Sequence, residues 1–123
     1  MAAPMNADHR LSESEIEELA RAFSDVTNYE ADDPTTPIDP LTYREPDGDT
    51  CLHIAAWRGD LRATELLVKA GVDIDAQGDM GATPLHCAKT KEIADLLVAA
   101  GASLDIRDEF GRLPLEPGTG RAG

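Results

Sequence analysis

The sequence predicts an all-α fold: a short solenoid of helical repeats with β-hairpin-like fingers and an N-terminal capping helix. Three observations carry this. A pattern that starts at Gly48 starts again at Gly81, a period of 33 residues, and repetition on that scale is the mark of stacked supersecondary units. Hydrophobic residues make up 41% of the chain but aromatic ones only 4%. The core must therefore rest on Leu, Ile, Val and Ala, which suits thin stacked helices. Finally, Ser12-Glu-Ser-Glu15 reads as a capping box ahead of apolar residues at helical spacing.

Taken in order, residues 1–10 read as a flexible tail. Leu11 and Ile16 flank the capping box at the positions of a hydrophobic staple. Ile16, Leu19, Ala20, Phe23 and Val26 then recur with helical period, which predicts an amphipathic helix over 13–25 with its acids on the wet face. Pro34, Pro37, Pro40 and Pro46 forbid regular helix beyond it. The region 11–47 is thus this helix and an acidic, Pro-rich connector, with Ile38, Leu41 and Tyr43 as anchors for partial wrapping. The repeat domain runs over 48–117, and 118–123 form a second flexible tail.

The first unit reads Gly48-Asp-Thr-Cys-Leu-His-Ile-Ala-Ala and then Leu66-Leu-Val-Lys-Ala-Gly-Val-Asp-Ile-Asp. The second reads Gly81-Ala-Thr-Pro-Leu-His-Cys-Ala and then Leu96-Leu-Val-Ala-Ala-Gly-Ala-Ser-Leu-Asp. A third start, Gly111-Arg-Leu-Pro-Leu115, follows. Thr50 and Thr83 stand where a helix N-cap is needed. Pro84 occupies the first turn, where its missing N–H costs little. Leu52, Ala55 and Ala56 face inward, Leu66, Leu67 and Val68 form the buried side of the second helix, and Gly71 and Gly101 are C-cap candidates.

These residues resemble the ankyrin repeat, whose hallmark is Gly-x-Thr-Pro-Leu-His-x-Ala-Ala followed by Leu-Leu-x-x-Gly-Ala-Asp-Ile-Asn. The resemblance covers about residues 45–117. Cys51 departs from it by replacing the proline. The second unit is three residues short, so its first helix or the following loop must be clipped near Lys89-Thr-Lys91. The third unit lacks a second helix. Two units and a stub bury little surface, since a solenoid usually needs about three repeats. The 13–25 helix is therefore expected to cap the first unit with Ile16, Leu19 and Phe23.

Cys51, His53, His86 and Cys87 are zinc-ligand types, but their C-x-H and H-C spacings are wrong for a knuckle, and stacked helices lie about 8–10 Å apart. The resemblance instead implies that each histidine hydrogen-bonds across its helix start and to a neighbouring unit. Asp73-Ile-Asp-Ala-Gln-Gly-Asp79 imitates the start of a calcium loop, but its twelfth place is Pro84. No hydrolase, P-loop or zinc-protease motif occurs. No enzymatic role and no cofactor or metal are expected.

The formal net charge is −13, and residues 1–47 carry 12 acids against 3 bases while 48–123 carry 12 against 8. Such a balance disfavours nucleic acid and anionic membrane and favours a basic protein partner. With no apolar run of spanning length, no secretory signal and two cysteines, a cytoplasmic monomer is expected. The resemblance implies binding along the concave side. By position, this selects Asp47, Asp49, Trp57 and Arg58 in the first unit, Gln77, Asp79, Met80, Ala82 and Lys89 in the second, and Arg107, Glu109, Phe110 and Arg112 in the stub. Short ankyrin proteins serve as immunity partners in bacterial toxin systems, so the resemblance permits, without requiring, a toxin-neutralising immunity protein, a role the acidic charge and compactness favour, with a general cytoplasmic adaptor or regulatory subunit as the alternative.

Overall fold

A computed structural model describes residues 11–114. The expected tails at 1–10 and 118–123, and the last residues of the stub, lie outside the described residues. Five helices follow in order: α1 (Glu13–Ala22), α2 (Cys51–Arg58), α3 (Leu61–Ala70), α4 (Pro84–Cys87) and α5 (Lys91–Ala99). They pack in two layers. Helix α2 lies against α4, while α1, α3 and α5 stack behind them, α1 on α3 and α3 on α5.

Each helix begins where a short polar side chain can take an orphan N–H. Ser12 accepts from Glu15, Thr50 from His53, Asp60 from Ala63, Thr83 from His86 and Thr90 from Ile93. The Ser12–Glu15 capping box closes in both directions. Gly71 ends α3 in the left-handed region at φ 86°, and Gly101 follows α5 at φ 102°. An L side chain is strained at these angles.

The core consists of small aliphatic side chains. Leu52, Ala55 and Ala56 of α2, Leu66 and Leu67 of α3, Leu85 of α4, and Ile93 and Leu97 of α5 are buried. Val68 is only partly covered. The shortfall in the second unit falls on its first helix. α4 has 4 residues where α2 has 8, and the chain leaves it at Ala88. The Lys89 N–H then donates to the carbonyl of Ala56 at 3.0 Å, so the truncated turn hydrogen-bonds to the preceding repeat.

Helix α1 stops at Ala22, three residues short of expectation, with Phe23 as its C-cap. Leu19 and Phe23 are buried, but Ile16 is 41% exposed, which corrects its expected place over the first unit. The contact stripe runs through Glu15, Leu19 and Phe23, spaced i, i+4, i+8, and Ile16 falls at its edge. Nor are all the acids of α1 on the wet face. Glu15 meets Lys69 at 2.9 Å and Glu18 meets Arg62 at 2.9 Å. The hydrogen bond from Lys69 is the main reason the Glu15 carboxyl sits below its ordinary range. Exposed pairs of this kind contribute little stability, but they set the orientation of α1 on α3.

The connector wraps the domain. Ile38 and Tyr43 are buried and Leu41 packs against the core. The Tyr43 hydroxyl donates to the carbonyl of Thr27 at 2.9 Å. Asn28 turns the chain by accepting from the N–H groups of Glu30 and Ala31.

The two repeat histidines join the units. Nδ1 of His53 accepts from the Thr50 N–H at 3.0 Å, so Nε2 carries the proton and donates to the carbonyl of Ala82 at 2.8 Å. His86 does the same with the Thr83 N–H at 3.0 Å and the carbonyl of Arg112 at 2.9 Å. Both nitrogens of each ring are thus engaged in the architecture, leaving no lone pair free for a metal.

Two outcomes are expected. Deleting residues 1–28 exposes the α3 face covered by Leu19 and Phe23 and abolishes cooperative thermal unfolding, while Leu19→Ala alone lowers stability by about 2–5 kcal/mol in urea denaturation. Burial pushes His53 below its ordinary value of 6.5. Its neutral form therefore supports the fold above that pH, and the contribution is lost as pH falls through the folded pKa. Between pH 7 and pH 5 the melting temperature should fall more steeply in wild type than in His53→Gln.

Candidate protein-binding face

The fingers are one turn met three times. The Glu45 N–H donates to the carbonyl of Asp49 at 2.8 Å, Gly78 to Ala82 at 2.8 Å, and Asp108 to Arg112 at 3.0 Å. Inside each, a glycine N–H closes a tighter turn: Gly48 to Glu45, Gly81 to Gly78, and Gly111 to Asp108. The fingers are hairpin-like without being strands. A single antiparallel bridge, Arg44 to Thr50, is the only β pairing among the described residues.

Successive fingers are tied together. The Asp79 N–H donates to Oδ1 of Asp49 at 2.8 Å, and the Glu109 N–H to the carbonyl of Met80 at 2.9 Å. Gly78 sits so close beneath Asp49 that a Cβ there would meet its Oδ1 and its backbone. A side chain at position 78 would push the first two fingers apart.

Between the fingers, α2 and the start of the connector lies a groove of about 500 Å³. Trp57 of α2 stands on one side and Tyr29 of the connector on another, with Glu45, Asp49 and Asp79 from two fingers also lining it. Trp57 is 61% and Tyr29 64% exposed. A smaller hollow of about 100 Å³ continues past Asp79 and Ala82 to Met80, Phe110 and Arg112. Phe110 is 62% and Met80 51% exposed. Together these make a strip of large apolar side chains edged by carboxylates, the composition of a recognition surface.

Of the residues selected from sequence, Asp49, Trp57, Arg58, Asp79 and Ala82 meet in the groove, and Asp79, Met80, Ala82, Phe110 and Arg112 meet in the hollow. Asp47, Gln77, Lys89, Arg107 and Glu109 line neither. Several are occupied by the fold itself. Arg58 donates to the carbonyl of Ala22 at 3.2 Å and pairs with Asp25 at 3.0 Å, with Phe23 beneath its guanidinium, so it clasps the end of α1. The side chain of Gln77 donates to the carbonyls of Gly81 and Arg107 and that of Arg107 to Gly111. Arg112 pairs with Asp108 at 3.0 Å and rests on Phe110. Asp47 accepts from the Asp49 N–H. Transfer by repeat position cannot see these internal bonds.

Sequence reasoning missed Tyr29 and Glu45, together with Val26, Thr27 and the half-buried Ile54 of the groove wall. One signal was available: Tyr29 is one of only two tyrosines and lies in a polar stretch that gives it no local core to join.

The two thiols are buried, and burial pushes the Cys51 thiol up to about 12, which keeps it protonated and unreactive. No helix among the described residues is long and apolar enough to cross a membrane.

Comparison with known proteins agrees with this architecture. The NF-kappa-B inhibitor cactus of Drosophila yakuba and that of Drosophila melanogaster are each 45% identical over 49 residues, which is 39% of this chain and 10% of the relative. The chain therefore spans about a tenth of the length of the curated relatives it matches. A family model described as ankyrin repeats in three copies matches residues 15–108, a span that takes in most of α1 as well as the two repeat units. With that match over most of its length, and with the capping threonines, bridging histidines and repeated finger turns in place, the chain belongs to the ankyrin-repeat family.

Proposed function

We propose that this protein binds, and by binding neutralises, a basic protein partner through the strip that runs from Trp57 to Phe110. Ankyrin repeats are protein–protein interaction modules, and the family is generally non-catalytic. The observation that supports this particular face is Trp57. It is the chain's single tryptophan, it stands 61% exposed, and it shares a groove with three carboxylates. Large exposed aromatics of this kind dominate interface energies once a partner covers them. The net charge of −13 supports a basic partner, since complementary fields speed and select the encounter.

In its sharpest form the proposal is an immunity protein that occupies a bacterial toxin. Masking needs only a binding surface of this kind. A second reading, a cytoplasmic regulatory subunit or adaptor, is favoured by the matched relatives, which bear the name of an inhibitor. The two differ in affinity and breadth. An immunity partner binds one toxin at nanomolar strength and rescues growth, whereas an adaptor binds more weakly and more broadly. A cytoplasmic monomer that takes neither nucleic acid nor membrane belongs to the same proposal and is supported by the acidic charge.

Affinity capture of the native partner tests it. Trp57→Ala should weaken capture about thirtyfold, as expected for a central aromatic worth about 2 kcal/mol. Asp79→Lys should slow association and make it less sensitive to salt. If neither substitution weakens capture, the partner binds elsewhere and this face is misassigned.

A further inference from the structure

The groove between Tyr29 and Trp57 has a chemistry more specific than a general acidic surface. We propose that it is a seat for one arginine side chain of the protein partner, built jointly by the N-terminal connector and the first two fingers. This rests on the partner-binding reading above and deepens it.

Two aromatic side chains flank the groove, and both are largely exposed. A guanidinium stacks on aromatic faces and is weakly hydrated, so it can enter such a slot with little loss of solvation. The carboxylates then matter by how much of their capacity is spent. Asp49 gives Oδ1 to the Asp79 N–H. Oε2 of Glu45 lies 3.2 Å from the Tyr43 hydroxyl, whose single proton it shares with the nearer carbonyl of Thr27. The other oxygen of each carboxylate, and the side chain of Asp79, accept no hydrogen bond among the described residues. A planar five-donor fork is the protein group that uses several carboxylate oxygens at once.

The one cation in the groove wall among the described residues, Arg58, does not already fill this role. The guanidinium of Arg58 is directed to the carbonyl of Ala22 and to Asp25, and its charge is met there. His53 spends both ring nitrogens within the fold, and burial holds it on the neutral side. Among the described residues, the three carboxylates that line the groove therefore form no ion pair. The connector contributes half of the seat: Tyr29 is held by its N–H to the Tyr43 hydroxyl at 3.3 Å, and Tyr43 is buried, so the aromatic wall is anchored to the core.

The test uses the full chain and Trp57 itself as reporter, since no other tryptophan obscures its emission. The probe is Nα-acetyl-arginine amide, whose only charge is the guanidinium, with the neutral isostere Nα-acetyl-citrulline amide as control. Arginine amide should change Trp57 emission saturably in the millimolar range, and citrulline amide should not. Tyr29→Ala should weaken the effect about threefold, and Glu45→Gln combined with Asp79→Asn about tenfold or more. An equal response to citrulline, a response without saturation, or indifference to these substitutions overturns the proposal. Partner capture separates the two levels. If the partner still binds through Trp57 but Tyr29→Ala and Glu45→Gln leave its affinity unchanged, the arginine seat falls and the binding face stands. If Trp57→Ala leaves capture intact while arginine amide still titrates Trp57, the partner-binding reading falls.

Discussion

The structure depends on one hydrogen-bond relay, in which a neutral histidine at the start of an inner helix holds the tip of the next finger. His53 accepts from the backbone of its own cap and donates to the carbonyl of Ala82, and His86 repeats the arrangement with Arg112. The relay couples two scales. Locally it completes the cap and fixes the first turn of α2 or α4. Across units it sets where the following finger lies, and with it the carboxylates and aromatics that finger carries. Each such bond is worth only about 1 kcal/mol net, but both rings are buried, and an orphaned ring nitrogen there would be more costly than the bond is favourable. Burial holds the His53 ring neutral, as its cap requires: a protonated imidazole could not accept from the cap N–H.

Charge does two jobs in this molecule, and they are separated in space. On the outer layer, Glu15 and Glu18 of α1 meet Lys69 and Arg62 of α3, while Arg58 at the end of α2 reaches from the groove wall to clasp Asp25. These pairs orient a helix that hydrophobic contact alone would hold loosely, because its buried stripe is only Leu19 and Phe23. On the inner layer the carboxylates of Glu45, Asp49 and Asp79 are gathered without an ion pair among the described residues. The negative balance of the N-terminal third is thus partly consumed by the fold and partly left facing the groove, a division that net charge alone does not express.

Much of the architecture was legible because repetition supplies its own check. Thr50 and Thr83 could be assigned as caps, and Gly71 and Gly101 as terminators, because each occurs twice in the same local frame. The clipping of the second unit was visible as a count, but its location was not: whether α4 or its loop gave way depended on Lys89 finding the carbonyl of Ala56, a bond between repeats. The same limit applied to the face. Trp57, Met80 and Phe110 were legible as surface aromatic and apolar residues, because no repeat position demands them. Arg58, Gln77, Arg107 and Arg112 looked equally available in sequence, yet their side chains are used within the fold.

By itself the sequence determined where the capped helices α1, α2 and α4 begin, the cap chemistry, the repeat period and the identity of the bridging histidines. All of these follow from interactions within a few residues or from a pattern that recurs at fixed spacing. Only the tertiary structure decided which acids pair, that Ile16 lies at the edge of the α1 stripe, and that Tyr29 of the connector shares a groove with Trp57. Those outcomes depend on how the irregular segment 24–47 returns to the repeats around buried Ile38 and Tyr43. A chain without period or regular hydrogen bonding carries no local signal for its path, which is set by the surface it packs against.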